Sequence, residues 1–134
     1  MSFVQVAFRL SLVIFAVWTT LSLASEPATV PLTETDLAGL RDAVAARERA
    51  IADGNKVLFM SLLDRTDPVF LLEQSRWFDY RMSAELFNFV LTVERIEPDG
   101  EGELLVTLHQ SYAIGSSREP REVRYTERYR RTDG

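Results

Sequence analysis

Glu103-Leu-Leu-Val-Thr-Leu-His-Gln-Ser-Tyr-Ala113 is the longest strand-like run of the sequence and contains its only histidine. Successive side chains of a strand point to opposite faces, so each face takes every second residue. One face is apolar over most of its length and carries Leu104, Val106, Leu108, Gln110 and Tyr112. The other is mixed and carries Leu105, Thr107, His109 and Ser111. A strand of this kind is typical of a sheet that packs against helices or lines a pocket.

Two further strands are predicted on either side of this run. Alternation predicts one from about Leu86 to Glu97, and residues 98–102, Pro-Asp-Gly-Glu-Gly, supply a hairpin turn. A second turn over residues 115–120 leads to a strand from about Arg121 to Arg131. Alternation places Phe87, Phe89, Leu91 and Val93 on one face of the earlier strand. It places Val123, Tyr125, Glu127 and Tyr129 on one face of the later strand.

Three helices are predicted ahead of these strands. Thr33 or Thr35 caps the first, which runs to about Asp53, and Gly54 ends it in a left-handed conformation. Asn55 caps a short second helix, about Lys56 to Leu63, that is apolar enough to be buried on more than one side. Its apolar side chains include Val57, Leu58, Met60, Leu62 and Leu63.

The third helix follows Asp67 and Pro68 and extends to about Arg81. Asp64 and Asp67 could form an acid–base pair, but the proline favours Asp67 as the helix cap and Asp64 as the close of the preceding helix. The apolar stripe of the third helix predicts Trp77 as the buried plug between helix and sheet. Three helices followed by three antiparallel strands predict an α+β fold, with the helices packed on one side of a curved sheet.

Composition narrows the functional classes. There is no cysteine, which excludes disulfides, thiolate catalysis and thiolate metal sites. The net charge of −5 gives no reason to expect a nucleic-acid partner. Six arginines crowd the C-terminal end, but interleaved glutamates favour a solvated, cross-paired face over an acidic-partner surface. These arginines are Arg118, Arg121, Arg124, Arg128, Arg130 and Arg131.

The N-terminus has the pattern of a secretory signal peptide. Arg9 precedes an apolar run, and Ser22-Leu23-Ala24 supplies small residues where a signal peptidase reads. We therefore predict cleavage after Ala24, an extended lead-in over residues 25–32, a domain over residues 33–134, and export. An uncleaved membrane anchor from Val4 to Leu23 is the alternative.

Several of these features together resemble the NTF2-like superfamily, and in particular the NTF2-like modules of exported bacterial proteins, some of which precede a peptidase-MA-type domain. The resemblance covers about residues 34 to 134. It rests on the helix–helix–Asp-x-x-Asp-Pro-helix start, Arg76-Trp77-Phe78, Leu108-His-Gln-Ser-Tyr112, and the ending Tyr125-x-x-x-Tyr129-Arg-Arg-Thr-Asp-Gly134.

The resemblance implies a cone, in which helices close the concave side of a bent sheet around a cavity that some members use for catalysis or ligand binding. The last strand of the cone is missing here, and the turn signal Thr132-Asp133-Gly134 predicts that a further strand follows and covers the arginine-rich edge. No His-Glu-x-x-His motif is present, so peptidase activity is not implied.

The candidate catalytic residues are His109, Tyr112, Tyr125 and Asp79. A histidine that titrates near neutral pH could act as a general base beside a tyrosine or Asp79, as in the hydratase and isomerase members of the superfamily. The simpler interpretation makes His109 a polar residue on a partly exposed face. One histidine and no spaced carboxylate cluster predict neither a metal site nor a cofactor.

The leading hypothesis is accordingly a non-catalytic exported module that binds a protein partner or a small apolar ligand. The alternative is a small cavity enzyme of the lyase or isomerase type that uses His109 with a tyrosine or aspartate. A homodimer through the sheet, membrane association through an uncleaved signal, and an incomplete chain without independent function are further alternatives.

Overall fold

A computed structural model of the chain describes residues 2–6, 31–100, 102–116 and 118–132. Its elements are β1 (Ser2–Val6), α1 (Glu34–Ala52), α2 (Lys56–Ser61), α3 (Pro68–Met82), β2 (Leu86–Pro98), β3 (Glu103–Ile114) and β4 (Pro120–Thr132). The strands form one antiparallel sheet in the order β1-β4-β3-β2. The predicted α+β class is confirmed, with three helices and a curved four-stranded sheet.

The strand β1 precedes the helices, so the predicted order of three helices and then three strands holds only from Glu34 onward. β1 lies within the stretch predicted to be a signal peptide. The remaining parts of that stretch and most of the predicted lead-in, residues 7–30, lie outside the described residues, as do Asp133 and Gly134 of the predicted final turn. None of the described helices is long and apolar enough to cross a membrane.

The predicted start of α1 is confirmed at Thr33. Its hydroxyl accepts a hydrogen bond from the Asp36 backbone N–H at 3.1 Å, and the Asp36 carboxylate accepts one from the Thr33 N–H at 3.0 Å. This reciprocal capping box satisfies two N–H groups that the helix itself cannot. The Thr33 N–H also lowers the pKa of Asp36, and Arg131 of β4 lies 2.7 Å from the same carboxylate. The helix start is thereby tied to the end of the sheet.

The second helix is less buried than the sequence predicts. Gly54 has φ of 64° and Asn55 accepts a hydrogen bond from the Leu58 N–H, as expected. Val57, however, is 83% exposed, and Phe59 is the residue that α2 buries completely. A helix of six residues has room for only one inward-facing side chain per turn, so uniform apolar composition does not mean burial on several sides.

Asp67 caps α3 as predicted, accepting hydrogen bonds from the N–H groups of Val69 and Phe70 at 3.0 and 3.1 Å. Asp64 does more than end the preceding helix, because it also lies 2.9 Å from Arg130 of β4. The prediction that Trp77 is the buried plug is wrong. Phe78 is 2% exposed and fills that place, while Trp77 is partly buried and stacks on Phe59 with ring centroids 5.7 Å apart.

The central strand behaves as its alternation predicts. All five residues of its apolar face are buried, and the intervening residues from Leu105 to Ser111 are only partly so. β2 shifts register between Phe87 and Val90 and again between Val93 and Arg95. Such irregularities bend a strand and increase its twist, so they curve the sheet around the helices.

Several arginines of β4 pair with carboxylates, but these are not the interleaved glutamates that the sequence favours. Arg124 lies 2.8 Å from Glu94, Arg128 lies 2.7 Å from Asp99, and Arg130 lies 3.0 Å from Glu103. These pairs are partly exposed and connect β4 to β2, β3 and the hairpin turn. Exposed pairs contribute little each, about 0–1 kcal/mol, so they fix register more than they stabilise the fold.

Replacing Phe78 by Ala should lower the free energy of unfolding by about 3–5 kcal/mol, because it leaves a cavity against Phe59 and the sheet. Trp77→Ala should cost less, since that ring is only partly buried. Urea unfolding followed by circular dichroism measures both, with the exposed Leu72→Ala on the same helix as the control. An equal or larger loss for Trp77→Ala would contradict this packing.

Candidate functional site

The structure does not bring the four predicted catalytic residues together. His109 lies on the outward face of β3 with its side chain 26% exposed, and its Nε2 is 3.6 Å from a carboxylate oxygen of Glu122. Tyr112 belongs to the opposite, buried face of the same strand. Successive side chains of a strand point to opposite faces, so residues whose numbers differ by an odd number lie on different sides of the sheet. His109 and Tyr112 are three residues apart.

The other two candidates are also apart from His109. Tyr125 lies on the inner face of β4, where its hydroxyl donates a hydrogen bond to Gln110 Oε1 at 3.2 Å. Asp79 is exposed on α3, and both of its carboxylate oxygens lie 2.7 Å from Lys56 Nζ. A general base needs its partner within hydrogen-bonding reach, and this placement gives His109 neither tyrosine nor Asp79.

A different polar cluster lies between the helices and the inner face of the sheet. Its centre is an ion pair between Arg47 of α1, which is 5% exposed, and Glu127 of β4. Arg47 Nη1 donates to Glu127 Oε2, and the Tyr129 hydroxyl donates to the same oxygen at 3.2 Å. Burial alone would lower the pKa of Arg47, but the Glu127 carboxylate raises it overall. Arg47 is therefore charged at neutral pH.

Desolvation also affects the two tyrosines beside this pair. Burial raises the pKa of Tyr125 to about 12, with a further contribution from the Glu127 carboxylate. Burial and Glu127 raise the pKa of Tyr129 as well. Both hydroxyls therefore stay protonated across the physiological range and act as neutral hydrogen-bond donors.

A second arginine, Arg81, completes the cluster. The Arg81 guanidinium carbon lies 4.8 Å from the centroid of the Tyr112 ring and 5.4 Å from that of Trp77. Two ring faces stabilise a cation and hold its plane in place. Within the described part of the chain, no carboxylate pairs with Arg81 and nothing accepts a hydrogen bond from its buried Nε.

Several of these side chains line a partly open cavity of about 210 Å³. Arg81, Gln110 and Tyr125 provide polar groups at its wall, and Trp77 and Val123 provide apolar surface. The remaining lining residues are Arg47, Gln74 and Glu127. Because Glu127 is neutralised by Arg47, the positive charge of Arg81 is left in excess at this wall.

The arrangement can bind but has few of the parts that catalysis requires. A guanidinium that is charged at any physiological pH does not exchange protons readily, and the nearby tyrosines have raised pKa values. The described residues include no group of three His, Asp or Glu side chains that could hold a metal ion. A fixed cation beside the amide group of Gln110 is suited to a negatively charged group that accepts hydrogen bonds.

Arg47, Arg81 and Gln110 were not predicted as site residues, although the alternation of the central strand places Gln110 on its apolar face. That placement was the available signal, because a polar side chain within an apolar stripe is informative when it is buried. The partners were not readable, since Arg47 and Glu127 are 80 residues apart in sequence.

Comparison of the chain with protein-family models, with curated proteins and with solved structures gave no match.

Removing one member of the buried ion pair should be far more damaging than removing an exposed one. Glu127→Leu leaves the Arg47 charge buried without compensation and should cost about 3–5 kcal/mol of unfolding free energy. The double variant Arg47→Met/Glu127→Leu should recover most of that loss, because no charge is then buried. Glu94→Leu, which breaks the exposed pair with Arg124, is the matched control and should cost about 1 kcal/mol or less. Equal losses for Glu94→Leu and Glu127→Leu would contradict the assignment.

The raised pKa of Tyr125 has a consequence for alkaline stability. Above pH 10 the unfolded tyrosine ionises while the folded one, with a pKa of about 12, still holds its proton. The contribution of Tyr125 to the free energy of unfolding is fully present below the pKa of the unfolded tyrosine, 10.0, and is lost as pH rises toward 12. The variant Tyr125→Phe should therefore lose less stability than the wild type over this interval, as measured by urea unfolding at a series of pH values. Parallel curves would contradict the burial of this hydroxyl.

Proposed function

We propose that this chain is a non-catalytic, exported NTF2-like binding module whose cavity takes a small ligand with an apolar body and one anionic group, such as a carboxylate. The observation that carries the proposal is Arg81. It is held between two aromatic rings and has no acidic partner within the described residues. The three helices and the curved four-stranded sheet are compatible with a cone-like fold.

The charges of the site support an anionic group rather than a neutral or cationic one. Among the described residues that line the cavity, Glu127 is the one acidic residue, and Arg47 already neutralises it. A bound carboxylate would accept hydrogen bonds from Arg81 in a geometry that the guanidinium fork favours. In a partly desolvated site, hydrogen bonds to a charged group contribute about 1.5–3 kcal/mol each.

The size of the cavity supports a small ligand. Its volume of about 210 Å³ is below the roughly 300–1,000 Å³ of pockets that take drug-sized molecules. Trp77 and Val123 offer apolar surface for a ring or short chain next to the anionic group. An aromatic monocarboxylate such as benzoate combines these properties and is a suitable probe.

The alternative of a cavity enzyme depended on His109 with a tyrosine or Asp79. No contact in the described structure favours it, because His109 faces outward and its nearest carboxylate is the exposed Glu122 at 3.6 Å. Export remains part of the proposal on the strength of Arg9, the apolar run after it and Ser22-Leu23-Ala24.

Benzoate should bind the wild-type protein saturably and raise its melting temperature, because a ligand that binds only the folded state stabilises it by mass action. The neutral isostere benzamide should not. Arg81→Gln should weaken benzoate binding by about tenfold or more, since it removes one charged hydrogen-bond donor. Calorimetric titration and thermal melts measure these effects.

Arg76→Gln is the matched control, because Arg76 is exposed on the same helix and does not line the cavity. It should leave benzoate binding unchanged. Equal binding of benzamide and benzoate, or equal loss of binding in the two arginine variants, would overturn the proposal.

A further inference from the structure

A second, larger cavity adjoins the one that contains Arg81. It has a volume of about 430 Å³ and shares three lining residues with the smaller cavity, Gln74 of α3 and Tyr125 and Glu127 of β4. Its other lining residues are Gln5, Val6, Asp67, Val69, Phe70, Glu73 and Thr126. A ligand in the smaller cavity therefore has room to continue past Gln74 into the larger one.

The two cavities have opposite charge. Arg81 is the cation in excess in the smaller cavity, whereas the described lining of the larger one contains three carboxylates and neither lysine nor arginine. Arg47 neutralises one of the three, Glu127, and Asp67 accepts the capping hydrogen bonds of α3. Glu73 has neither role, because its carboxylate forms no ion pair or hydrogen bond with a described residue. It is therefore the carboxylate that can receive a cationic group.

A buried acceptor without a donor lines the same cavity. Gln5 belongs to β1, which pairs with the last five residues of β4 at the edge where the sequence predicts a following strand. Gln5 is 6% exposed and lines the larger cavity, yet no described residue donates a hydrogen bond to its Oε1. A buried acceptor without a partner destabilises the folded state. A ligand that brings a hydrogen-bond donor to this oxygen would relieve that destabilisation.

The spacing along α3 sets the length of such a ligand. Glu73 and Arg81 are eight residues apart in sequence. At a rise of roughly 1.5 Å per residue, their Cα atoms are about 12 Å apart along the helix axis. Helical side chains tilt toward the N-terminus of the helix, so both charged ends shift in the same direction. With a charged hydrogen bond of about 2.8 Å at each end, about 6–7 Å remain between the two charged groups of the ligand.

We propose that the larger cavity binds a primary ammonium group, and that the ligand of this module is a zwitterion with its carboxylate at Arg81 and its ammonium at Glu73. An ammonium has three N–H donors, and the carboxylate of Glu73, the amide oxygen of Gln74 and Gln5 Oε1 can accept them. The inference rests on the proposed function for its anionic end and does not depend on export. It is made for the full chain, because Gln5 belongs to β1, whereas Glu73 and Gln74 lie within the predicted domain.

The test compares ligands on the full chain by calorimetric titration. The compound 4-(aminomethyl)benzoate carries its two charges at the required spacing, and 4-(hydroxymethyl)benzoate has the same shape without the positive charge. The aminomethyl compound should bind about fivefold tighter than benzoate, because it adds a partly exposed ion pair with Glu73. The hydroxymethyl compound should show no such gain.

Glu73→Gln should reduce the ratio of the dissociation constants of benzoate and 4-(aminomethyl)benzoate from about five to about one, since it removes the negative charge but keeps the size of the side chain. Asp79→Asn is the matched control, because Asp79 is exposed on the same helix and lines neither cavity. It should keep the ratio of about five. Equal ratios in the two variants would overturn the proposal.

Gln5→Leu separates ligand recognition from a purely structural role of this side chain. Without ligand it should raise the melting temperature, because it removes a buried acceptor that has no partner among the described residues. It should nevertheless reduce the preference for 4-(aminomethyl)benzoate over benzoate. A preference that stays intact in both Gln5→Leu and Glu73→Gln would overturn the proposal.

These measurements distinguish this inference from the proposed function. Benzoate that binds through Arg81, without a gain from the ammonium group or with an equal gain from the hydroxymethyl group, would overturn the inference and leave the proposed function standing. If benzoate does not bind, the proposed function fails, and benzylammonium, which has no carboxylate, tests the larger cavity alone. Saturable binding of benzylammonium that Glu73→Gln abolishes would support the larger cavity as an ammonium site, and no such binding would overturn it.

Discussion

The ion pair between Arg47 and Glu127 places two charges between the helices and the inner face of the sheet, so neither charge can be buried there without the other. Charges that are withdrawn from water must be paired closely or they destabilise the fold. The pair therefore fixes α1 over β4, and Tyr129 supplies a further hydrogen bond to the same carboxylate. It also determines the charge of the cavity. Because Arg47 neutralises Glu127, that carboxylate does not neutralise the neighbouring Arg81. The positive charge of Arg81 can therefore attract an anionic ligand.

The central strand then divides the sheet into two chemically different sides. Its even-numbered residues from Leu104 to Tyr112 face the helices. The last two of them contribute to the site, because Gln110 lines the cavity and the Tyr112 ring packs against Arg81. Its odd-numbered residues, including His109, face outward, where β4 contributes cross-paired arginines such as Arg124. One strand thus supplies both the binding surface and the solvated surface. His109 lies on the solvated surface.

Local signals in the sequence were sufficient for most of the fold. The caps at Thr33 and Asp67, the left-handed Gly54 and the alternation of β3 each act over a few residues, so they are readable without a structure. Trp77 and Phe78 could not be ranked in this way, since adjacent residues on a helix point in directions about 100° apart and only the packed neighbour decides which is buried.

The binding site was less predictable because its members are brought together over long distances. Arg47 looks like a solvated charge on α1 until Glu127, 80 residues later, is placed beside it. β1 was missed for a different reason. Its apolar residues fit the pattern of a leader equally well, and nothing local to residues 2–6 specifies a pairing with β4. The pairing of two strands that are distant in sequence depends on tertiary contacts, which hydrophobic periodicity and strand propensity do not specify.

We propose that Arg81, which pairs with no carboxylate among the described residues, is a fixed cation that receives an anionic group. The most direct measurement is the side-chain Nε–H resonance of Arg81 in heteronuclear NMR spectra, assigned by its absence in Arg81→Lys and followed as benzoate is added. The account predicts a saturable shift of this resonance, larger than that of the Nε–H of Arg76 or of the paired Arg47. A resonance of Arg81 that does not move while benzoate binds elsewhere, or moves no more than that of Arg76, would contradict it.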